Sequence, residues 1–365
     1  MAEIKTSVFG VIFNVLVLIA MVQTTLLRNR PMNTFVMNLA AADALQCVLA
    51  FPMVIMACFE TQWNFSSAFC AWYGFVSFLV GNVSMSILVV ISLDRYVRVW
   101  RPFSVLCVDA RMSKIVCAVV WCYGLLWSSF PLFGWSKYEL EPHRLSCSVD
   151  WSSRDPLNRS FIITLFVFVF LIPLCIMVYC YVGVVMWFRR KCTRPSNRGQ
   201  ELKAYLRMTT MAAVMVSAFM ICWTPYAIVS FMGTFGYKTP PDSAMWFVLA
   251  PVLAKTSVAV NPLIYFATNP NIRQAVSSLF KHRRHMRNSA GAYLSQFSSD
   301  SFLRGRIKNS SNRLKTVNPN FVAHRNANNR TIYADFLAPM PLNIAIDPES
   351  RDHHGDDQRQ CEVEI

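Results

Sequence analysis

One lysine lies in the middle of an apolar segment. Lys255 falls inside the run from Met245 to Ala267, which is long enough to cross a bilayer. At a rise of about 1.5 Å per residue, its ammonium is at least about 15 Å from either end of that run and cannot extend to water. A charge at this depth costs about 2.5 to 3.5 kcal/mol on the insertion scale, so the group needs a partner or a covalent role. A buried lysine amine is suited to imine formation with an aldehyde.

The composition indicates a membrane protein. The chain has 365 residues, of which 54% are hydrophobic and only 15% are charged, whereas soluble proteins carry about 25% charged residues. The net charge of +15 does not indicate a nucleic-acid partner, because the basic residues gather in alternate connections, at 28–30, 98–114, 189–191 and 281–287. This asymmetry places those loops and the carboxyl terminus in the cytoplasm and the amino terminus outside the cell. The number of spans must then be odd.

The apolar runs predict seven spans, at about residues 8–27, 35–59, 69–97, 115–133, 161–188, 208–235 and 245–267. Residues 271–284 predict an amphipathic helix that lies on the cytoplasmic leaflet and contacts lipid. The sequence thus predicts an all-α membrane protein, a seven-transmembrane helix bundle with a short amphipathic cytoplasmic helix. We expect residues 1–284 to form the seven-span domain with its amphipathic helix, and the polar residues 285–365 to form a disordered cytoplasmic tail.

The outward loops carry two cysteines and two glycosylation sequons. Most of the twelve cysteines lie in apolar runs, as core residues. Cys70 and Cys147 fall in the outward loops, where oxidation is available, and we expect them to form a disulfide. The sequons begin at Asn64 and Asn158.

Polar residues also occur at membrane depth. Asn14 lies in the first span, Asp43 in the second and Asn261 in the seventh. We expect them to form a hydrated network that repacks between two states. The alternative is simple hydrogen bonding between helices.

Three short motifs lie on the third, sixth and seventh spans. They are Asp94-Arg95-Tyr96, Cys222-Trp223-Thr224-Pro225, and Asn261-Pro262-Leu263-Ile264-Tyr265. Each alone is explained by a lipid-facing arginine or a proline kink. Together and in this order, they make the chain resemble the rhodopsin-like G-protein-coupled receptors over residues 8–284. Lys255, six residues before Asn261, makes it similar to the opsins, and the surrounding stretches resemble non-visual opsins of the neuropsin and peropsin type.

The resemblance implies a chromophore and a site. In opsins this lysine forms a Schiff base with retinal, so Lys255 is the expected attachment point. Packing around the chromophore is expected from aromatic residues, although each taken alone could equally be helix-packing core: Tyr73, Phe219, Trp223 and Tyr226. Tyr73 stands where many visual pigments have a glutamate counterion. Glu141, six residues before Cys147, matches the other counterion position known in opsins, while Glu139 is expected to be solvated.

The resemblance also implies partners and a switch. A heterotrimeric G protein is expected at the cytoplasmic face, with arrestin and a receptor kinase acting on tail serines at the plasma membrane. Arg95 is expected to pair with Asp94 in the dark and to separate on activation, with Tyr181 and Tyr265 stabilising the open state. In many relatives an acidic residue on the sixth span locks that arginine. Tyr205 occupies this position here, which puts the lock in doubt.

Three functions remain open at this point. The first is a light-activated receptor that couples to a G protein. The second is a retinal photoisomerase that supplies chromophore without signalling, and the third is a receptor that uses the pocket for another ligand. The intact motifs favour the first, and Lys255 argues against the third. We find no pattern of a catalytic metal site, a phosphate-binding loop or a hydrolase triad, and we expect no enzyme.

Overall fold

The computed structural model describes residues 2–24, 30–100, 107–191, 199–236 and 244–279. Within these ranges, seven helices are long and apolar enough to cross a membrane, as predicted. We number the spans in chain order. The first is Ala2–Gln23, the second is Pro31–Leu49 with Phe51–Phe59, the third is Ser67–Trp100, and the fourth is Ala110–Ser129 with the 3-10 turn Phe130–Phe133. The fifth is Pro156–Leu165 with the π-helical Phe166–Leu171 and Ile172–Lys191, the sixth is Gly199–Thr234, and the seventh is Ala244–Thr268.

Prolines explain the interruptions of these helices, because proline lacks the N–H that would continue the hydrogen-bond ladder. The second span breaks at Ala50, and Pro52 lies in the first turn of the next segment, Phe51–Phe59. The wide π turn of the fifth span lies directly before Pro173. Pro225 lies inside the sixth span, and Pro262 inside the seventh. These are positions at which helices kink.

The bundle packs around the third span. Fully buried apolar side chains include Leu39, Ile87 and Met215, from the second, third and sixth spans. The sides of the spans that face away from the core of the bundle are apolar as well: Val119 and Ile221 are 61% and 73% exposed. Apolar residues on both the inside and the outside are expected of helices whose outer surface contacts lipid.

An antiparallel hairpin lies in the connection between the fourth and fifth spans. Strand β1 is Tyr138–Leu140 and strand β2 is Cys147–Val149, with Leu140 opposite Cys147. The predicted disulfide joins Cys70 to Cys147, with 5.4 Å between the Cα atoms. This bond ties the hairpin to the amino-terminal end of the third span.

A further helix follows the seventh span, at residues 270–279. The side-chain oxygen of Asn269 accepts hydrogen bonds from the backbone N–H groups of Asn271 and Ile272, which caps this helix. Ile272 and Val276 are buried on one face, as the amphipathic pattern predicts. Residues 280–284 and the tail at 285–365 lie outside the described residues, so the domain boundary stays a prediction.

Candidate functional site

A cavity of about 180 Å³ lies in the half of the bundle that carries the hairpin. The second, third, fifth, sixth and seventh spans and the hairpin all contribute to its wall. Every residue for which the sequence predicts a place in the pocket lines this cavity: Tyr73, Glu141, Phe219, Trp223, Tyr226 and Lys255. The remaining lining is largely apolar and aromatic, which suits an elongated apolar ligand.

The amine of Lys255 points toward the hairpin. Its Nζ atom donates to the hydroxyl of Ser146 at 3.0 Å, and that hydroxyl in turn donates to the carboxylate of Glu141. The same Nζ atom lies 5.7 Å from the centre of the Tyr73 ring, within range of a cation–π interaction. The lysine therefore faces an anion through one intervening hydroxyl group.

Glu141 is buried and receives donors on both carboxylate oxygens. It is 5% exposed. The Tyr226 hydroxyl donates to Oε1 at 3.1 Å, and Nε2 of His143 lies 3.1 Å from Oε2. Burial raises the pKa of this carboxyl, but the hydrogen bond of His143 and the charge of Lys255 outweigh it, so the pKa lies below the ordinary value. The site holds Glu141 in its ionised form.

The hairpin turn brings these groups together. The backbone N–H of Glu141 donates to the carbonyl of Ser146 at 2.9 Å, which closes the turn between the strands. Ser146 directly precedes Cys147, so the disulfide places it against the third span. The sequence reasoning missed Ser146 and His143. Their closeness to Cys147 and Glu141 in the chain was the available signal.

Aromatic rings of the sixth span form one wall of the cavity. Phe219 and Trp223 stack with 5.5 Å between ring centroids, and Trp223 lies edge-on to Tyr226 at 6.3 Å. The Trp223 indole N–H donates to the Ser257 hydroxyl at 3.2 Å, which links the sixth and seventh spans. A Cβ atom at Gly81 would lie 2.8 Å from the Trp223 ring, so this position admits only glycine without displacement of the ring.

The three polar residues predicted at membrane depth, Asn14, Asp43 and Asn261, do not line this cavity. The Asn261 amide donates to Asp43 at 2.8 Å and links the seventh span to the second. Asn14 does not bond to Asp43; its amide donates to the backbone carbonyls of Gly10 and Val258, each at 2.9 Å. The structure therefore places all three residues in the contacts among the first, second and seventh spans.

The third span ends in a buried ion pair. The Arg95 guanidinium bonds to Asp94, and both residues are buried. Arg98, which the sequence reasoning missed, donates to the same carboxylate at 2.8 Å and to the Val108 carbonyl at 2.7 Å. Its spacing of four residues from Asp94 on one helix was the available signal.

The tyrosines assigned to the switch lie on different spans. The Tyr96 hydroxyl is 3.2 Å from the hydroxyl of Tyr179 on the fifth span. Tyr265, three residues after Pro262, is fully buried, and Tyr181 is half-buried against the main core. The side chain of Tyr205 lies outside the described residues, so the altered lock stays a prediction.

The two sequons differ in their exposure. Asn64 is exposed, and its amide donates to the Glu60 carboxylate at 2.6 Å. Asn158 is buried, accepts a hydrogen bond from Ser136, and donates to the Asp150 carbonyl at 2.5 Å through the nitrogen to which a glycan would be attached. This geometry favours a structural role for Asn158 over glycosylation.

The fold and the site together define a seven-span membrane receptor with a partly buried lysine in the wall of its cavity. Residues 13–265 match the family described as "7 transmembrane receptor (rhodopsin family)". The chain belongs to this family of receptors, and the relatives below place it among the opsins.

The relatives of the chain carry the names of opsins. The chain is 36% identical to melanopsin of Podarcis siculus over 74% of this chain and 58% of that protein. It is 30% identical to the "Visual pigment-like receptor peropsin" of Homo sapiens, over 77% of this chain and 84% of that protein. The crystal structure of squid rhodopsin superposes with a TM-score of 0.70 at 30% identity, over 77% of this chain and 83% of that one. The chain spans a little over half the full length of the melanopsins that it matches, and of the rhodopsin of Todarodes pacificus.

Proposed function

We propose that this protein is a light-sensing receptor that holds retinal on Lys255 through a Schiff base and activates a heterotrimeric G protein. The position of the Lys255 amine carries the proposal. That amine reaches the cavity wall 3.0 Å from Ser146, with the buried carboxylate of Glu141 directly behind it. An amine, a buried anion and an aromatic cavity together are what a covalently held, positively charged polyene needs.

The residues present fit such a chromophore. Lys255 provides the attachment, and Glu141 provides the negative charge that keeps a buried cation stable. Phe219, Trp223 and Tyr226 provide flat apolar walls and exclude water from the linkage. When bound, retinal supplies absorption of light and a change of shape on isomerisation.

The groups below the cavity support a switching role. Trp223 is bonded to Ser257, four residues before Asn261, which is bonded to Asp43. A change in cavity shape that displaces the Trp223 ring would disturb this connection and bias the bundle toward a second packing arrangement. In our proposal that arrangement separates Arg95 from Asp94 and is stabilised by Tyr181 and Tyr265.

The cytoplasmic side is proposed to bind the signalling partners. The basic loops face the cytoplasm of the plasma membrane, and the amino terminus is extracellular. A G-protein segment binds in the cleft that opens beside Arg95. Arrestin and a receptor kinase act on tail serines, which lie outside the described residues.

Light-dependent nucleotide exchange is the test. Protein reconstituted with 11-cis or all-trans retinal is mixed with a heterotrimeric G protein, and exchange is measured in the dark and after illumination. Light should accelerate exchange in the wild type and not in Lys255→Arg, which keeps the charge but forms no stable imine. Light-driven conversion of all-trans to 11-cis retinal without exchange would reject signalling and leave the photoisomerase alternative.

A further inference from the structure

A histidine side chain lies against the proposed counterion. His143 is in the turn between β1 and β2, and its side chain is only 8% exposed. Its Nε2 atom lies 3.1 Å from Oε2 of Glu141 and 3.4 Å from the Ser146 hydroxyl. The imidazole thus contacts both groups that stand between Lys255 and the hairpin.

The backbone of the same turn determines the tautomer. The N–H of Leu145 donates to Nδ1 of His143 at 3.1 Å. A ring nitrogen that accepts a hydrogen bond carries no proton, so the proton of the neutral ring is on Nε2. That proton is donated to Glu141. Protonation of Nδ1 would place two N–H groups opposite each other and break the bond with Leu145.

Charged and polar groups from the hairpin, the sixth span and the seventh span surround this site. Lys255 on the seventh span contributes one cation, and Glu141 contributes one anion. Tyr226 from the sixth span contributes a hydroxyl, and Arg144, the neighbour of His143 in the turn, is exposed. The opposite charges of Lys255 and Glu141 therefore lie on either side of the Ser146 hydroxyl, beside the ring.

We propose that His143 is a positioning residue of the counterion: as an Nε2–H donor, it keeps Glu141 ionised and directed at Ser146. The value of this arrangement rests on the proposed function, since a cation on Lys255 is what needs the anion. The hydrogen bond itself does not depend on the chromophore. It can therefore be tested in the protein without retinal.

The test is an infrared titration of Glu141 in the retinal-free protein. The C=O band of the protonated carboxyl is assigned as the band that Glu141→Gln lacks, and its appearance is followed as the pH falls. Loss of a donor to the carboxylate removes stabilisation of the ionised form, so the proton binds at a higher pH. For a hydrogen bond to a charged group we expect His143→Phe to raise that pH by about one to two units.

Two further variants separate positioning from general disturbance. His143→Gln keeps an N–H donor within reach of Glu141 and should restore most of the wild-type titration. Arg144→Asn removes the neighbouring cation, suits the left-handed backbone at this position (φ 58°), and should leave the titration unchanged. His143→Leu replaces the Phe variant if the latter does not fold.

Each outcome decides the inference. A shift in His143→Phe that His143→Gln reverses supports the positioning role. An unchanged titration, or an equal shift in the Gln and Arg144→Asn variants, overturns it. In reconstituted pigment, the acid-side absorbance transition should move to higher pH in His143→Phe and stay near the wild-type position in His143→Gln and Arg144→Asn. A wild type that forms no pigment would reject the proposed function, while the infrared titration would still test His143.

Discussion

Replacing Glu141 by glutamine removes the proposed counterion with little change of shape. The Lys255 amine is 3.0 Å from Ser146, and Ser146 is hydrogen-bonded to the carboxylate. Two such bonds place the charges about 5 Å apart. At an effective dielectric constant of about 20, their attraction is about 3 kcal/mol, which corresponds to about 2 pH units of proton affinity. The visible absorbance of the Glu141→Gln pigment should therefore be lost to the ultraviolet at a pH about 2 units lower than in the wild type.

The assay is a dark absorbance titration of pigment reconstituted with retinal. Glu139→Gln is the matched control, because Glu139 is two residues away in the same hairpin, its side chain is 50% exposed, and it pairs with Lys137. That control should titrate like the wild type. A Glu141→Gln pigment that keeps the wild-type spectrum and titration would refute the counterion assignment.

Three further predictions concern stability and modification. Because the pKa of Glu141 is lowered in the folded protein, its ionised carboxylate stabilises the fold at pH values above the ordinary pKa of 4.5. This stabilisation is lost as the pH falls through the lowered pKa. The melting temperature should therefore drop on acidification, and should drop less in Glu141→Gln. Removing the bond between Cys70 and Cys147, which closes a separation of 77 residues, should destabilise the protein by up to about 4 kcal/mol in thermal or denaturant unfolding. Asn64→Gln should reduce the glycosylated mass, whereas Asn158→Gln should leave that mass unchanged and lower the melting temperature.

Each of these predictions has a control or a contradicting result. Equal acid sensitivity in the wild type and Glu141→Gln would contradict the charge state assigned to that carboxyl. Cys122→Ser, which alters an exposed free cysteine, should not change stability as the disulfide variant does. A glycan found on Asn158 would show that its amide is accessible during synthesis and not held by Asp150.

The spans and the position of the lysine follow from local features of the chain. Each span is a long apolar run, and the low charge content leaves few alternatives to a membrane bundle. Lys255 was identified because a charge at that depth in the membrane costs free energy unless it has a partner or a covalent role. Asp43 and Asn261 were predicted on the same grounds, and the structure brings them into contact at 2.8 Å.

The details of the hairpin do not follow from local features. His143 and Ser146 are ordinary loop residues in the sequence. They meet Glu141 only because the turn closes on itself and the disulfide holds β2 against the third span. The burial of Asn158 likewise depends on a loop wrapping around it, with Asp150 and Ser136 as partners. Turn closure, loop wrapping and disulfide pairing leave no periodic pattern in the chain.

Covalent trapping of retinal on Lys255 is the most direct test of the account. Protein incubated with retinal is reduced with borohydride, digested, and analysed by mass spectrometry, with Lys255→Arg as the control. The account predicts a retinyl adduct on the peptide containing Lys255 and none in the variant. An unmodified Lys255, or an adduct of equal yield in Lys255→Arg, would contradict it.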